Sequence, residues 1–109
     1  MKKKLGKKKT KKEGIKYDQG KPMLSLLTKE SLEAEARVFE FGMRKYSKDN
    51  YKLGMNWSRV IDSALRHIIA FNNKEDFDRE SSMNHLWHAK ACLAMLIYYY
   101  EKKVGKDDR

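Results

Sequence analysis

The chain has 109 residues, a net charge of +10, and 40% hydrophobic and 37% charged residues. This length suits one domain with a modest core and excludes two independently folded domains. The single cysteine, Cys92, excludes a protein stabilised by internal disulfides and favours a reducing cytoplasm. The sequence has no signal-peptide pattern, and its longest apolar run is too short for a membrane span, which excludes a membrane-spanning protein.

Most of the positive charge lies at the N-terminus. The first twelve residues contain eight lysines and no acid, which leaves +2 for residues 13–109. Such a run cannot bury a core, so we predict that residues 1–15 form a disordered basic tail. The tail either binds nucleic acid non-specifically by neutralising phosphates or only solubilises the protein. The lysines concerned are Lys2, Lys3, Lys4, Lys7, Lys8, Lys9, Lys11 and Lys12.

An extended arm and a first helix follow the tail. Residues 16–27 contain the only proline, Pro22, and we predict an arm packed over the helices with a turn at Gln19 and Gly20. Thr28 is a suitable N-cap, and apolar residues recur at helical spacing after it, which predicts a helix over residues 29–46. A polar loop over residues 47–56 comes next.

Two further helices complete the predicted all-α bundle of three main helices, which occupies residues 16–103 and precedes a C-terminal tail at 104–109. The second helix starts near Ser58. The third, over residues 86–100, is apolar on almost every side, with Lys90 and Glu101 as its polar strip. A helix of this kind needs more cover than two neighbours provide, so we predict a homodimer or higher oligomer.

The stretch NKEDFDRESSMNHLWH at residues 73–88 is the main candidate site. Its two histidines lie three residues apart on the helix face opposite Lys90, so their imidazoles can converge on one ion. Acids immediately upstream can complete a divalent-metal shell. Alternatively, the acids are solvated and the histidines are packed and hydrogen-bonded. The predicted metal ligands are Asp76, Asp78, Glu80, His85 and His88.

The same stretch also suits an anion. Ser81 and Ser82 place backbone N–H groups and hydroxyls at the start of the third helix, where they either bind a phosphate or cap the helix. Arg66, His67 and Arg79 can supply charge and hydrogen bonds nearby. Carboxylates beside basic groups at a helix start are typical of a metal–nucleotide site.

The ordered chain, about residues 16–101, resembles the amino-terminal domain family of phage dATP/dGTP diphosphohydrolases. The resemblance rests on an ordered set of short motifs: Lys16-Tyr17-Asp18, Lys21-Pro22, Phe41-Gly42, Lys45-Tyr46, Asn56-Trp57, Asp62, Arg66-His67, Ala70-Phe71, Glu75-Asp76, Asp78, Glu80-Ser81, His85-Leu86 and His88-Ala89. It implies a phage or prophage helical protein that handles deoxynucleotides in the host cytoplasm. In larger relatives the domain is joined to a MazG-like module that splits a nucleoside triphosphate into monophosphate and pyrophosphate with Mg²⁺.

Three functional hypotheses follow. The first is a pyrophosphohydrolase that uses Mg²⁺ or Mn²⁺, with Asp76, Asp78 and Glu80 as catalytic residues. Its predicted substrate-binding residues are Lys21, Lys45, Arg66, His67 and Ser81. The second is a non-catalytic nucleotide binder that sequesters a nucleotide signal or serves a larger enzyme. The third is an accessory protein that binds nucleic acid non-specifically through the lysines at residues 2–12.

Overall fold

The computed structural model of the protein describes residues 12–109. Three α-helices span Lys29–Lys45 (α1), Trp57–Asn72 (α2) and His85–Lys102 (α3). Short 3-10 turns at Leu24–Leu26 and Asn50–Leu53 precede α1 and α2. The elements of this part of the chain are all helical, which confirms the predicted all-α class. None of these helices is long and apolar enough to cross a membrane.

The predicted start of α1 is confirmed by its cap. The Thr28 hydroxyl accepts a hydrogen bond from the Ser31 backbone N–H at 3.1 Å, which satisfies one of the unpaired donors of the first turn. Glu30 lies in that turn, where its charge complements the helix dipole. Local chemistry therefore defines this end of α1.

Helix α3 is the central element, because it contacts both α1 and α2 whereas α1 and α2 scarcely touch each other. Against α2 it buries Cys92 and Tyr99 beside Val60. The Tyr99 hydroxyl, on a side chain with 0% exposure, donates to the Tyr51 carbonyl at 2.7 Å. The two outer helices are thus held apart, with α3 between them.

The link between α1 and α3 is polar. The Lys90 ammonium of α3 donates to the Ser31 carbonyl at 2.9 Å and to the Glu35 carboxylate at 2.8 Å. Ala34 is buried on the same side of α1. This ion pair turns the Lys90 charge toward α1.

The C-terminal segment is attached to the start of α2. The Trp57 indole N–H donates to the Val104 carbonyl at 2.9 Å, and the Asp108 carboxylate accepts from the Ser58 backbone N–H and hydroxyl at 2.9 and 2.6 Å. Asn56, the N-cap residue of α2, makes no side-chain cap bond. Asp108 therefore caps α2 from a distant part of the sequence.

The arm does not pack over the helices, and that prediction was wrong. Residues 12–30 are all exposed, including Leu24 at 71% and Leu26 at 74%. The physical reason is that α1 itself covers one side of α3, while the arm closes on its own 3-10 hydrogen bonds. The predicted turn is confirmed, because Gly20 has φ 86° and Lys21 N–H donates to the Asp18 carbonyl at 3.1 Å. Residues 1–11, where most of the predicted basic tail lies, fall outside the described part of the chain.

Candidate functional site

A cleft of about 1220 Å³ opens between α1 and α2, with α3 as its floor. Floor residues His88 and Met95 are seven positions apart on α3, a distance of about 10 Å along the helix axis. The His88 end, called the polar end, is lined mainly by ionisable side chains, whereas the Met95 end combines apolar and aromatic side chains, including the paired rings of Phe39 and Tyr51, with the charged Lys48, Asp49 and Arg59. The ionisable lining residues on the His88 side are Lys45, Arg66, His67, Asp78, Glu80 and His88.

The loop between α2 and α3 folds back over the floor. Asp78 N–H donates to the Met83 carbonyl at 2.8 Å, and His85 N–H donates to the Asp76 carbonyl at 2.9 Å. Ser82 sits at the reversal with φ 63°, in the left-handed region that most side chains avoid. The closed loop places the Asp78 carboxylate beside the histidines of α2 and α3.

Three histidines meet at the polar end of the cleft. Two Nδ1 atoms, those of His67 and His85, lie 2.8 Å apart, and the rings of His67 and His88 stack with centroids separated by 4.6 Å. His85 Nε2 lies 3.0 Å from the Glu75 carboxylate, to which this nitrogen donates when it carries the ring proton. In that tautomer His85 Nδ1 accepts a hydrogen bond from His67 Nδ1–H, a bond that a metal ion held between the two rings would replace.

The surroundings of His67, His88 and Asp78 shift their pKa values toward the protonation states that bind cations. Burial lowers the pKa of His67, and the neighbouring His88 lowers it further. Burial also lowers the pKa of His88, against the opposing effect of Asp78. For Asp78, burial alone raises the pKa, but hydrogen bonds from the backbone and side chain of Ser81 outweigh it and lower the pKa overall. These shifts favour neutral imidazoles at His67 and His88 and an ionised carboxylate at Asp78 near neutral pH, the forms that ligate metals.

The donor atoms of His67, Asp78 and His85 all lie within 4.8 Å of one another. Two imidazole nitrogens with one carboxylate fit Mn²⁺, Fe²⁺ or Zn²⁺ better than Mg²⁺, which prefers oxygen ligands. Glu75 accepts from His85 on the far side of the ring, as carboxylates that orient metal-binding histidines do. Among residues 12–109 this triad is the group whose geometry suits a metal ion.

The triad differs from the predicted ligand set. Asp78 and His85 belong to it, but Asp76 and Glu80 do not: Asp76 contributes its backbone carbonyl to the loop, and the Glu80 carboxylate pairs with Lys45 at 2.7 Å. His88 lies at its edge, with Nε2 2.6 Å from the Ser81 hydroxyl and 3.9 Å from Asp78. Two members of the observed cluster were not predicted as candidate metal ligands or their partners. They are His67, which was assigned to the substrate, and Glu75.

The prediction that the serines begin or cap α3 was wrong. The N-cap is Asn84, whose side chain accepts from Leu86 N–H at 2.8 Å. Ser81 N–H donates to the Asp78 carboxylate at 2.9 Å, and Ser82 N–H donates to the Asp78 carbonyl at 2.8 Å. These donors already serve the loop and Asp78, so a phosphate would have to displace those bonds to use them.

Some of the predicted substrate-binding residues line the cleft and others do not. Lys45, Arg66 and His67 line the cleft. Lys21 is exposed on the arm and is not among the lining residues, and Ser81 acts on His88 and Asp78 rather than on the open space. The structure therefore brings Lys45 of α1 together with Arg66 and His67 of α2 in the cleft and leaves Lys21 of the arm outside it.

Comparison with known proteins agrees with the resemblance seen in the sequence. A family model described as dATP/dGTP diphosphohydrolase, N-terminal, matches residues 11–109. A protein of Salmonella phage PMBT28, named dATP/dGTP diphosphohydrolase, is 34% identical over 96 residues, which cover 88% of this chain and 33% of that relative. The chain thus spans about a third of the relative's length. No solved structure matches the chain with significance. Since the family model matches nearly the whole chain, the protein belongs to the dATP/dGTP diphosphohydrolase amino-terminal domain family.

Proposed function

We propose that this protein binds a purine deoxynucleoside triphosphate together with a divalent metal and hydrolyses it to the monophosphate and pyrophosphate. The observation that carries the proposal is the triad of His67, Asp78 and His85 at one end of a cleft whose walls present Lys45 and Arg66. The name of the phage relative supports dATP and dGTP as substrates, and its phage origin supports action inside an infected host cell.

The shape of the cleft suits a nucleotide. Its volume of about 1220 Å³ slightly exceeds the roughly 300–1,000 Å³ usual for small-molecule pockets. The triphosphate fits the polar end, where the basic side chains and the triad lie. The base fits the opposite end, where Phe39 and Tyr51 offer ring surfaces and Asn50 offers an amide.

Each side chain at the polar end has a role in this reaction. A bound divalent ion would neutralise phosphate charge and lower the pKa of water. His67, Asp78 and His85 would hold that ion, and Glu75 would fix the orientation of the His85 ring. Lys45 now pairs with Glu80, and it would exchange that carboxylate for a phosphate oxygen.

The exchange frees Glu80 for proton transfer. As water attacks the α-phosphorus, the Glu80 carboxylate accepts its proton, the new P–O bond forms, and the bond from the α-phosphorus to the bridging oxygen breaks. Arg66 and Lys45 then neutralise the departing pyrophosphate. Asp76, outside the triad and the cleft lining, has no part in this mechanism.

A second candidate function is binding without turnover, either to sequester a nucleotide signal or to serve a larger enzyme. The observation that favours it is the single carboxylate of the triad, Asp78. The MazG-like chemistry implied by the family resemblance relies on several carboxylates to hold Mg²⁺. The two candidates share one binding site and differ in whether products appear.

The experiment incubates the full chain with dATP or dGTP and Mn²⁺ or Mg²⁺ in ¹⁸O-labelled water and follows the products by ³¹P NMR. Hydrolysis at the α-phosphorus gives pyrophosphate and places ¹⁸O in the monophosphate. We expect Glu80→Gln to abolish turnover while nucleotide binding by calorimetry persists, and Asp76→Asn, the matched control, to retain both. Binding without products selects the second candidate, and absence of binding with either metal rejects both.

The separate proposal of nucleic-acid binding concerns the lysines at residues 2–12, nearly all of them outside the described residues. Filter retention of DNA at low salt, with and without residues 2–12, tests it. Retention that survives the deletion rejects the tail as the binding site. The nucleotide site does not depend on this result.

A further inference from the structure

Three sides of α3 are already used. One side meets α1 through the Lys90 pairing with Glu35, another packs on α2 through Tyr99, and a third forms the cleft floor at His88 and Met95. On a helix with 100° between residues, the remaining side is the one opposite the cleft. We call it the back face.

The back face is apolar and open to solvent. On α3 it carries Leu86, Leu93, Ile97 and Tyr100, which are 45%, 49%, 63% and 58% exposed. Two side chains of α2 extend it on the same side of the α2–α3 pair, namely Leu65 and Ile68, 49% and 42% exposed. Monomers seldom expose contiguous apolar patches larger than a few hundred Å², so a surface of this kind marks an interaction site.

The spacing on α3 is that of a helix-pairing seam. Leu86, Leu93 and Tyr100 are separated by intervals of seven residues, and Ile97 follows Leu93 by four, as the d and a positions of a heptad do. The one charged residue at an a position is Lys90, whose ammonium is turned away toward Glu35. The seam therefore suits another helix of the same apolar pattern.

We propose that the back face binds a second copy of this chain, with the two α3 helices antiparallel across a twofold axis that crosses the back face between Leu93 and Ile97. The antiparallel arrangement avoids like charges, because Glu101 and the Lys90–Glu35 pair lie at the same edge of α3, on either side of the axis. Parallel packing would bring the two Glu101 carboxylates together, whereas antiparallel packing sets each Glu101 beside the Lys90–Glu35 pair of the other copy.

The area is sufficient for a dimer. Six side chains that each expose about half of their surface present on the order of 600 Å² of apolar area, close to the ~800 Å² per partner of a standard interface once the polar rim is added. The cleft lies on the opposite side of α3, so each copy keeps its own site open. Dimerisation of this kind is independent of whether the cleft hydrolyses a nucleotide.

Light scattering after size-exclusion chromatography of the full chain tests the proposal, and we expect a dimer mass. Ile97→Lys should raise the dimer dissociation constant by about 100-fold or more, because the twofold axis buries the new charge twice. The matched control is Leu53→Lys, on the 3-10 turn at 84% exposure, which should remain dimeric. A monomeric wild type, or an Ile97→Lys protein as dimeric as the control, overturns the proposal.

Cysteine crosslinking tests the orientation even where a lysine variant folds poorly. Leu93→Cys and Ile97→Cys chains of different mass are mixed and oxidised. An antiparallel seam predicts the mixed 93–97 disulfide as the main product, since those positions oppose each other across the axis. Predominant 93–93 and 97–97 products would show a parallel seam and overturn the proposed arrangement.

Discussion

Replacement of Glu75 by alanine is expected to weaken Mn²⁺ binding although Glu75 is not itself a ligand. Its carboxylate lies 3.0 Å from His85 Nε2 and fixes both the tautomer and the angle of a ring whose Nδ1 joins the triad. Partners of this kind are worth about 10- to 100-fold in metal affinity, or roughly 1.4–2.8 kcal/mol. The Glu75 side chain is 48% exposed, so solvent screens its charge and we expect a loss near tenfold.

Isothermal titration of Mn²⁺ into the wild type and the variant measures this loss. The matched control is Asp76→Ala, which removes the same charge from the next residue but leaves the backbone carbonyl that His85 N–H uses. We expect the control to bind Mn²⁺ within about twofold of wild type. Equal losses in the two variants would show that bulk negative charge attracts the ion and would refute the orienting role of Glu75.

Two further predictions concern stability. Because burial lowers the pKa of His67 and His88 below the ordinary value of 6.5, the unfolded chain binds more protons just below that pH, and the free energy of unfolding should fall as pH drops through about 6.5. Urea denaturation at several pH values measures it, and a flat profile between about pH 7.5 and about pH 5.5 contradicts the burial of neutral imidazoles. Tyr99→Phe leaves the Tyr51 carbonyl without its donor and should cost about 1–2 kcal/mol, whereas Tyr100→Phe, on the exposed back face, should change stability little. Equal urea midpoints for the two variants contradict the structural role of the Tyr99 hydroxyl.

The fold was predictable where local chemistry decides it. Thr28 caps α1 through a hydrogen bond three residues away, and the apolar periodicity of each helix can be read within a few turns. The arm was not predictable in the same way. Whether Leu24 and Leu26 are buried depends on a groove elsewhere in the fold, and the structure leaves both side chains exposed.

The candidate site was predicted in part. His85 and the acidic segment were found because a His-x-x-His pair on an inward helix face is a local pattern. Which acid reaches the histidines depends on the loop closing between Asp78 and Met83, with Ser82 in a left-handed conformation that its side chain does not favour. Sequence spacing therefore could not separate Asp78 from Asp76.

His67 was not predicted as a candidate metal ligand for a related reason. It lies 18 residues before His85 on another helix, and only the packing of α2 against α3 brings their Nδ1 atoms to 2.8 Å. The one available signal was its place on the edge of the apolar face of α2, which indicated partial burial. Partial burial alone does not distinguish a packed histidine from a metal ligand.

Pulsed electron paramagnetic resonance of Mn²⁺ bound to the protein with dGTP tests the central claim most directly. If the triad holds the ion and the ion holds the nucleotide, the same sample shows ¹⁴N couplings from imidazole and ³¹P couplings from phosphate. His67→Ala should reduce the ¹⁴N signal while the ³¹P couplings of any bound nucleotide persist. Phosphate and water couplings without nitrogen in the wild type would contradict the account, because the ion would then lie away from His67 and His85.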